Sequence, residues 1–331
     1  MPEPETIPPA PRAHAQPSDG PVLPDVKQHL ATAAKPVIGR VVSTERCTAG
    51  QGSKAASFVR HVAIDVSGTP LAGAILPGQS FGVIPPGVDA RGLSHKLRLY
   101  SVASPTGGED GTGNIIATTV KRTIDEHNET HKLFLGVASN YLCDLHPGDP
   151  VTLTGPSGKR FVLPVTPALH DYVFVATGTG IAPFRGMITD LLRGGDASRI
   201  TLILGSAYAS DLLYHRHFLD LQKKHANFRY FSAVSRGVQD DGLGPMYVQD
   251  RFSTDHGEMR SVLESPRTLI YMCGIAGMEL GVFQKLAAML KGAALEQYLS
   301  IDAEVSDTST WTRRMIHRQV RPTRRVFIEV Y

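Results

Sequence analysis

One stretch decides the fold: Ala176-Thr177-Gly178-Thr179-Gly180-Ile181-Ala182-Pro183-Phe184, which joins an apolar run to a glycine turn and a helix start. The preceding run, Tyr172–Val175, has the composition of a short buried strand. Gly178 and Gly180 let the backbone approach a ligand with no Cβ in the way, and the helix offers unpaired N–H groups to negative charge. The stretch predicts a phosphate cradle, although many glycine turns end buried strands for structural reasons alone.

Length and composition indicate a soluble protein of two domains. The chain has 331 residues, 42% of them hydrophobic, so it can bury two cores. It shows no apolar run long enough to cross a bilayer and no secretory segment, so we expect a cytoplasmic protein without a transmembrane segment. Cys47, Cys143 and Cys273 are too few and too widely spaced for a disulfide scaffold or a thiolate metal cluster. A net charge of +3 is too mild to indicate nucleic acid.

The pattern along the chain divides it into a tail and two domains. Residues 1–34 are rich in Pro and Ala and lack periodic apolar spacing, which predicts a disordered tail. Residues 35–165 carry short β-like segments between Gly and Pro, typical of an antiparallel β-barrel. Residues 166–331 alternate buried strands with helices, which predicts an α/β domain with a doubly wound parallel sheet.

The predicted elements follow from these two rhythms. The barrel strands are Ile38–Ser43, Phe58–Asp65, Phe81–Ile84, Lys96–Ser101, Asn114–Arg122, Lys132–Val137 and Val151–Thr154. The second domain alternates strands with helices in the order Tyr172–Val175, Pro183–Leu192, Ile200–Leu204, Leu212–His225, Phe228–Ala233, Met246–Phe252, Thr268–Met272 and Met278–Leu290. The boundary between the domains is expected near residues 163–170.

One predicted strand of the barrel carries three residues suited to a flat, phosphorylated ligand. Arg98 and Tyr100 point the same way because they are two positions apart, and Ser101 follows them. A guanidinium can bind phosphate, and an aromatic face can stack on a planar ring. The same residues also suit an ordinary barrel strand with one exposed Arg and a half-buried Tyr, so the strand alone leaves both interpretations open.

Seven motifs together make the chain recognisable. In chain order they are Lys96-Leu-Arg-Leu-Tyr-Ser-Val-Ala-Ser104, Gly136-Val-Ala-Ser-Asn-Tyr-Leu-Cys-Asp144, Thr154-Gly-Pro-Ser-Gly-Lys159, the opening stretch, Ala233-Val-Ser-Arg236, Tyr271-Met-Cys-Gly274 and Glu329-Val330-Tyr331. The set closely resembles the plant-type ferredoxin–NADP⁺ reductase family from about residue 38 to the last residue. The resemblance implies an oxidoreductase with FAD in the barrel, which exchanges a hydride with NADP(H) and single electrons with ferredoxin or flavodoxin.

The resemblance also assigns roles to residues of the predicted strand Lys96–Ser101, which is called the flavin strand below. By motif position, Tyr100 would stack on one face of the isoalloxazine and Arg98 would pair with the pyrophosphate. Ser101 would lie near flavin N5, the atom that accepts the hydride. A hydroxyl suits that position because it can both donate and accept a hydrogen bond.

A second FAD contact is implied at a helix start in the barrel domain. Gly136, Val137 and Ser139 resemble the family's second pyrophosphate contact, where backbone N–H groups are the natural donors. Lys121 matches a basic position that lies at the nucleotide pyrophosphate in the family. A solvated strand end explains Lys121 equally well.

The opening cradle would serve NADP(H), with Thr177 lying between the two cofactors and contacting both. Ser235 and Arg236 would clasp the extra phosphate on the adenosine ribose, and Tyr247 would stack on the adenine. An isolated Ser-Arg pair is more often an ordinary loop, but here it follows a predicted strand. The NADP(H) contacts implied by the resemblance are Thr177, Gly178, Thr179, Gly180, Ser235, Arg236, Tyr247 and Cys273.

Four residues are implied in catalysis, namely Ser101, Cys273, Glu329 and Tyr331. Cys273 would lie beside the nicotinamide, although on its own it has the features of a buried core thiol. Tyr331 would cover the other flavin face and move aside for the nicotinamide, although a terminal aromatic is also a normal end of an edge strand. Glu329 and Ser101 would relay a proton to and from N5.

The sequence departs from the family pattern at several positions. Asp125 stands where plant relatives carry a Tyr that stacks on the FAD adenine. Pro245 and Ala276 replace basic residues near the expected ribose phosphate, which should weaken discrimination against NADH. Residues 299–310 form an apparent insertion before Trp311. Beyond it lies a basic run, whose members are Arg313, Arg314, His317, Arg318, Arg321, Arg324 and Arg325. We interpret this run as a solvated helix face, with a docking patch for an acidic carrier as the alternative.

Lys96 and Leu97 match positions used for ferredoxin docking in the family, so we expect an acidic carrier to bind there, and we expect a monomer.

Two further hypotheses stay open beside the leading one. A reductase component of a multicomponent oxygenase would share both cofactor modules. A flavin-binding redox sensor without turnover is the alternative from another class, although it would have no need of Ser101, Cys273 or Glu329.

Overall fold

An antiparallel barrel forms the amino-terminal half of this computed structural model, which describes residues 20–48, 57–195, 198–254 and 256–331. Its elements are β1 (Val37–Arg46), β2 (Val59–Asp65), β3 (Ser80–Ile84), β4 (Arg98–Ser101), β5 (Ile115–Lys121), β6 (Ile124–Glu126), β7 (Leu133–Leu135), helix α1 (Val137–Asp144) and β8 (Pro150–Ser157). The main sheet has the strand order β4-β3-β8-β1-β2-β5, with antiparallel neighbours throughout. Strands β6 and β7 form a separate hairpin.

The two edges of this sheet meet and close the barrel. The Ala103 N–H donates to the Ala117 carbonyl at 2.7 Å, and Thr118 Oγ1 donates to the Ser101 carbonyl at 2.8 Å. The segment after β4 therefore continues the sheet onto β5. Inward-facing side chains such as Ile64 and Phe81 are fully buried, and each such side chain contributes about 1.5–3 kcal/mol to folding.

A five-stranded parallel sheet forms the second half of the chain. Its elements, with the short strands and helices around it, are β9 (Asp171–Thr177), α2 (Ile181–Arg193), β10 (Ile200–Ser206), α3 (His215–Lys224), β11 (Phe228–Val234), α4 (His256–Glu264), β12 (Thr268–Gly274), α5 (Met278–Met289), α6 (Ala293–Glu296), β13 (Leu299–Ile301), β14 (Val320–Pro322) and β15 (Val326–Val330). The order β11-β10-β9-β12-β15 reverses between β9 and β12. Ligands of open α/β sheets bind at such a reversal, beyond the carboxyl ends of the strands. The predicted fold class, a barrel followed by a doubly wound sheet, is confirmed.

The tail prediction is wrong for residues 20–34, while residues 1–19 lie outside the described part of the chain. The His29 N–H donates to the Pro156 carbonyl at 2.9 Å, and Ala31 exchanges backbone hydrogen bonds with Gly155 at 2.9 and 2.8 Å. Ala31 is 2% exposed. These partners lie far along the chain, so local composition carried no sign of them.

The basic run also differs from expectation, and it follows the apparent insertion. Residues 299–310 contribute β13 and two single-turn 3-10 helices, Ala303–Val305 and Thr308–Thr310. The basic run forms a 3-10 turn and β14 instead of a helix face, so that interpretation is wrong. Arg313 pairs with buried Glu279 at 2.7 Å, and Arg325 is 3% exposed. The charges of the basic run are thus divided between the interior and the surface.

The change from antiparallel to parallel sheet takes place between residue 157, where β8 ends, and residue 171, where β9 begins. This segment joins the two halves of the chain, which are called the barrel and the nucleotide domain below. Across the described residues, no helix has the length and apolar character that a membrane crossing requires.

Candidate active site

The glycine turn after β9 packs against the end of β12. Thr177 ends β9, the residues Gly178–Gly180 form one 3-10 turn, and α2 begins at Ile181. A Cβ on Gly180 would lie 2.0 Å from the Cys273 carbonyl oxygen, so this glycine makes room for the neighbouring strand. Gly178 has a left-handed φ of 52°, and a Cβ there would meet open space. Gly178 is thus the glycine that faces open space, whereas Gly180 serves the packing of the two strand ends.

Thr177 connects the loops on both sides of the strand reversal. Its Oγ1 accepts a hydrogen bond from the Ile275 N–H at 2.8 Å and donates to Met278 Sδ at 3.3 Å. A Cβ on Gly274 would lie 2.1 Å from the same Oγ1. The threonine hydroxyl therefore holds the start of the β12 loop against the cradle.

A cavity of about 730 Å³ opens in front of this turn. Of the residues expected at NADP(H), those lining it are Thr177, Gly178, Thr179, Ser235 and Tyr247. Lys121 and Tyr331 also line it, so the structure places Lys121, which the resemblance assigned to FAD, beside this cavity. Three expected contacts lie outside the lining. Gly180 and Cys273 do so because they are buried, and the third is Arg236. The cavity has the size of a cofactor site.

One end of the cavity carries the residues expected at the ribose phosphate. The Ser235 N–H donates to the Ser206 carbonyl at 3.0 Å, which fixes the loop after β11 beside the loop after β10. Arg236 is exposed, and its guanidinium carbon lies 5.9 Å from the centre of the Tyr208 ring. Tyr247 is 65% exposed. Tyr208 was missed by the sequence analysis; its position directly after β10, at the carboxyl edge of the sheet, was the available signal.

The chain end lies at the strand reversal. The Tyr331 N–H donates to the Gly274 carbonyl at 3.0 Å, and the Tyr331 carbonyl accepts from the Ala276 N–H at 3.0 Å. Tyr331 Oη is 2.8 Å from Thr179 Oγ1, while the residue stays 66% exposed. The terminal ring is therefore held at the cavity by its backbone and one hydroxyl contact.

Cys273 and Glu329 are neighbours on β12 and β15. Cys273 is 1% exposed, and burial raises the pKa of its thiol well above the usual range, with a smaller contribution from the Glu329 charge. Burial raises the pKa of Glu329 to about 7. Across the described residues, no hydrogen bond joins Glu329 to Ser101, whose carbonyl accepts from Thr118. Glu329 can thus gain or lose a proton near neutral pH.

The flavin strand β4 lies at the surface of the barrel. Arg98 is exposed, while Tyr100 is half-buried opposite Phe81, and burial raises the pKa of its hydroxyl to about 12. Lys96 is exposed, whereas Leu97 is half-buried. The Leu97 side chain packs over Gly82 of β3, where a Cβ would lie 2.8 Å from Leu97 Cδ1. Of the two expected docking residues, Lys96 is the accessible one.

The start of α1 is open to a ligand. Gly136 is its N-cap and has no side-chain capping bond, so backbone N–H groups of the first turn are available. The Ser139 hydroxyl accepts from the Thr123 N–H at 3.2 Å and donates to the Gly136 carbonyl at 3.1 Å. Val137 is 48% exposed. The main chain, more than the Ser139 hydroxyl, fits a pyrophosphate here.

The hairpin before α1 carries an aromatic residue that the sequence analysis missed. Asp125 on β6 lies directly opposite Phe134 on β7, so both side chains share one face. Phe134 is 63% exposed and stands two positions before Gly136. A Phe two positions before the glycine that precedes the helix was the signal available in the sequence.

Comparison with known proteins gives a consistent result. Residues 174–284 match the family model described as an oxidoreductase NAD-binding domain. The chain is 35% identical to a ferredoxin–NADP reductase of Spirulina sp. over 270 residues, which are 80% of this chain and 90% of that protein. It is 37% identical to the chloroplastic root isozyme of ferredoxin–NADP reductase from Oryza sativa subsp. japonica, over 80% of this chain and 72% of that protein. The solved ferredoxin–NADP⁺ reductase of Plasmodium falciparum has the same fold, with a TM-score of 0.65 at 21% identity, over 92% of this chain and 99% of that one.

Proposed function

Because the chain belongs to the ferredoxin–NADP reductase family, we propose that it is an FAD-containing oxidoreductase that exchanges a hydride with NADP(H) and single electrons with ferredoxin. One observation carries the proposal: Thr177, Gly274 and Tyr331 meet at the strand reversal, at the mouth of a cofactor-sized cavity. FAD, when bound, takes up two electrons as a hydride and releases them one at a time.

The residues present fit both cofactors. The left-handed Gly178 presents main chain to the cavity with open space at its Cα, as a dinucleotide phosphate requires. The uncapped start of α1 offers N–H groups to a second pyrophosphate, and the exposed Arg98 adds a cation on the same domain. Tyr100 and Tyr331 supply aromatic faces for a planar ring. We assign Arg98, Tyr100, Gly136 and Val137 to FAD, and the cavity to NADP(H).

Tyr331 and Glu329 carry the proposed catalytic roles at the meeting point. The single hydroxyl contact of Tyr331 with Thr179 is weak enough to exchange, so the ring can leave the cavity mouth when the nicotinamide enters. Glu329, with a pKa of about 7, can hold a proton below neutral pH and release it above. We assign Ser101 as the hydroxyl that passes this proton on, and Cys273 as the buried wall beside the nicotinamide.

A preference for NADPH follows from Ser235, Arg236 and Lys121. Ser235 and Lys121 line the cavity, and the exposed Arg236 lies beside Tyr208 at its phosphate end. Ala276 lines the same cavity without a charge, and Pro245 adds none. We expect NADPH to be preferred by a smaller margin than a full set of cations would give.

The relatives described above are named ferredoxin–NADP reductases, which favours this function over an oxygenase reductase or a redox sensor. Ferredoxin is the proposed partner, with Lys96 as its accessible contact on the barrel. Use of flavodoxin, a monomeric state and a cytoplasmic location remain predictions from the sequence.

A steady-state assay tests the function. Purified protein with bound FAD is given NADPH or NADH, with ferricyanide, a ferredoxin or a flavodoxin as acceptor. We expect reduction of ferricyanide and of ferredoxin with NADPH, at a higher kcat/KM than with NADH. Absence of a flavin absorbance that NADPH bleaches would overturn the assignment, whereas equal kcat/KM for both nucleotides would overturn the NADPH preference alone.

A further inference from the structure

A polar cluster joins the barrel to the nucleotide domain beside the active site. Its members, called the interdomain cluster below, are His61 on β2, Glu109 before β5, Thr119 on β5, Arg185 on α2 and Tyr214 before α3. The first three belong to the barrel and the last two to the nucleotide domain. None of the five was assigned a role in binding or catalysis above.

The Arg185 guanidinium forms the centre of this cluster. Nη1 donates to Glu109 Oε1 at 2.5 Å, and Nη2 donates to Glu109 Oε2 at 3.0 Å. Nη1 also donates to the Ala103 carbonyl at 3.0 Å. The two side chains are only 18% and 23% exposed, so a bidentate ion pair connects the domains with little solvent screening.

Tyr214 makes a second connection in the same cluster. Its hydroxyl oxygen lies 2.8 Å from His61 Nδ1 and 2.6 Å from Thr119 Oγ1, and its ring centre is 5.3 Å from the Arg185 guanidinium carbon. Tyr214 has a left-handed φ of 56°, which costs a residue with a side chain about 1 kcal/mol or more. Burial, and then the Arg185 charge, lower the pKa of His61 to about 4 against an opposing effect of Glu109, so its ring is neutral at pH 7.

The cluster is connected to both halves of the active site through short, stiff paths. Arg185 lies about one turn after Ile181, where α2 leaves the cradle. Ala103, which accepts from Arg185, lies two positions after Ser101 on the flavin strand. A Cβ on Gly186 would lie 2.3 Å from the Ser104 carbonyl oxygen, so α2 touches the barrel directly at this point.

We propose that Arg185, Glu109 and Tyr214 are positioning residues that set the placement of the nucleotide cradle relative to the flavin strand, and so control hydride exchange but not single-electron exchange. The inference rests on the proposed function. Hydride transfer breaks the C4–H bond of the nicotinamide and forms an N5–H bond on the flavin, oxidising NADPH to NADP⁺. Its two reacting atoms are carried by different domains, and a displacement of about 1 Å can cost about a hundredfold in rate.

Single-electron exchange depends on one domain only. The partner binds at the exposed surface of the barrel near Lys96, on the same domain that holds the flavin strand. A shift of the nucleotide domain therefore leaves that contact in place. Measuring the two half-reactions separately therefore distinguishes a positioning role from a general loss of structure.

The test uses the FAD-loaded enzyme and two variants. Glu109→Gln removes the carboxylate that pairs with Arg185. Tyr214→Phe is the milder second variant, because it removes only the hydroxyl and keeps the ring, and it tests the proposal if the first variant does not fold. Anaerobic stopped-flow absorbance measures flavin reduction by NADPH and, separately, reoxidation of dithionite-reduced flavin by ferricyanide. We expect reduction by NADPH to slow about tenfold to a hundredfold with Glu109→Gln and about threefold to tenfold with Tyr214→Phe, with reoxidation within about twofold of the unchanged protein.

Arg199→Gln is the matched control. It breaks an Arg–Asp pair, Arg199 Nη2 to Asp171 Oδ2 at 3.1 Å, that lies wholly within the nucleotide domain. We expect it to lower the unfolding temperature without separating the two half-reactions. Calorimetry adds a readout independent of activity, because we expect loosened domains to unfold in two transitions and the unchanged protein to unfold in one.

Each outcome decides the proposal. Slowed hydride transfer with normal reoxidation in the cluster variants, and not in Arg199→Gln, supports it. Equal slowing of both half-reactions, no slowing of either, or the same separation in Arg199→Gln would overturn it. Failure of the unchanged enzyme to reduce its flavin with NADPH would instead contradict the proposed function, so the two failures are distinguishable.

Discussion

The nucleotide half and the flavin half of the site differ in the groups that they offer to a ligand: main chain in the first and side chains in the second. In the nucleotide half, Gly178 offers main chain to the cavity, and Gly180 is packed against the buried strand β12. In the flavin half, Arg98 and Tyr100 project from β4 at the barrel surface. The first half therefore depends on the packing of the fold itself, whereas the second depends on side chains at the barrel surface. Substitutions should accordingly damage stability in one half and cofactor affinity in the other.

The largest effect is expected from Gly180→Ala compared with Gly178→Ala. The new methyl group at position 180 would lie 2.0 Å from the Cys273 carbonyl oxygen, which should cost about 3 kcal/mol of unfolding free energy or prevent folding. At position 178 the methyl group meets open space, and the left-handed φ of 52° costs about 1–2 kcal/mol. Urea unfolding with FAD at saturation measures both. Equal destabilisation would contradict the packing role of Gly180.

A smaller effect, mainly on affinity, is expected from Tyr100→Ala, in which the half-buried ring also loses its packing against the barrel core. Loss of the stacking face should weaken FAD binding about tenfold to a hundredfold, which corresponds to about 1.4–2.8 kcal/mol. Fluorescence titration of the apoprotein with FAD measures the dissociation constant. Leu99→Ala is the control, because this neighbouring side chain is 55% exposed and points to the other side of the strand. The same loss of affinity in both variants would show that Tyr100 does not stack on the flavin.

The smallest effect is expected from Glu329→Gln, and it depends on pH. Because burial raises the pKa of the folded carboxyl from 4.5 to about 7, the folded state favours the protonated form. The resulting stability is fully present below pH 4.5 and is lost as the pH rises through 7. Solvent screening at this partly exposed site reduces the loss to about 1 kcal/mol between pH 5 and pH 8, or about 1.5 °C in Tm.

Glu329→Gln should remove that loss, so its Tm should rise relative to the unchanged protein as the pH goes from 5 to 8. Thermal unfolding in a pH series with FAD bound measures the difference. A constant difference across the series would mean that the Glu329 carboxyl titrates at its ordinary pKa, which would remove the support for its role in proton transfer.

Elements that depend on local composition were predicted closely. The strands expected at Tyr172–Val175, Ile200–Leu204 and Thr268–Met272 are β9, β10 and β12, each extended by a few residues. These strands are buried on both faces, so they appear in the sequence as continuous apolar runs. The cradle was predicted for the same reason, since a glycine turn directly after a buried strand is a local signal.

Elements that depend on distant partners were not predicted. Strand β6 and the contacts of residues 20–34 involve short polar or irregular segments without periodicity, whereas β7, the partner of β6, lies within the predicted strand Lys132–Val137. The Met246–Phe252 helix is a 3-10 segment at Val248–Ser253 instead. The basic run was misread because Glu279 and Asp302, which pair with Arg313 and Arg321, lie elsewhere in the chain.

By itself, the sequence determined that an antiparallel barrel precedes a parallel sheet, the glycine turn after β9 and the set of side chains able to bind two nucleotides. It did so because hydrophobic periodicity and glycine turns act over a few neighbouring residues. Only the tertiary structure decided that Gly178 faces the cavity while Gly180 faces Cys273, and that Arg185 meets Glu109 from 76 residues away. Such choices follow from the close packing of two sheets and two domains, which brings together residues with no relation in the sequence.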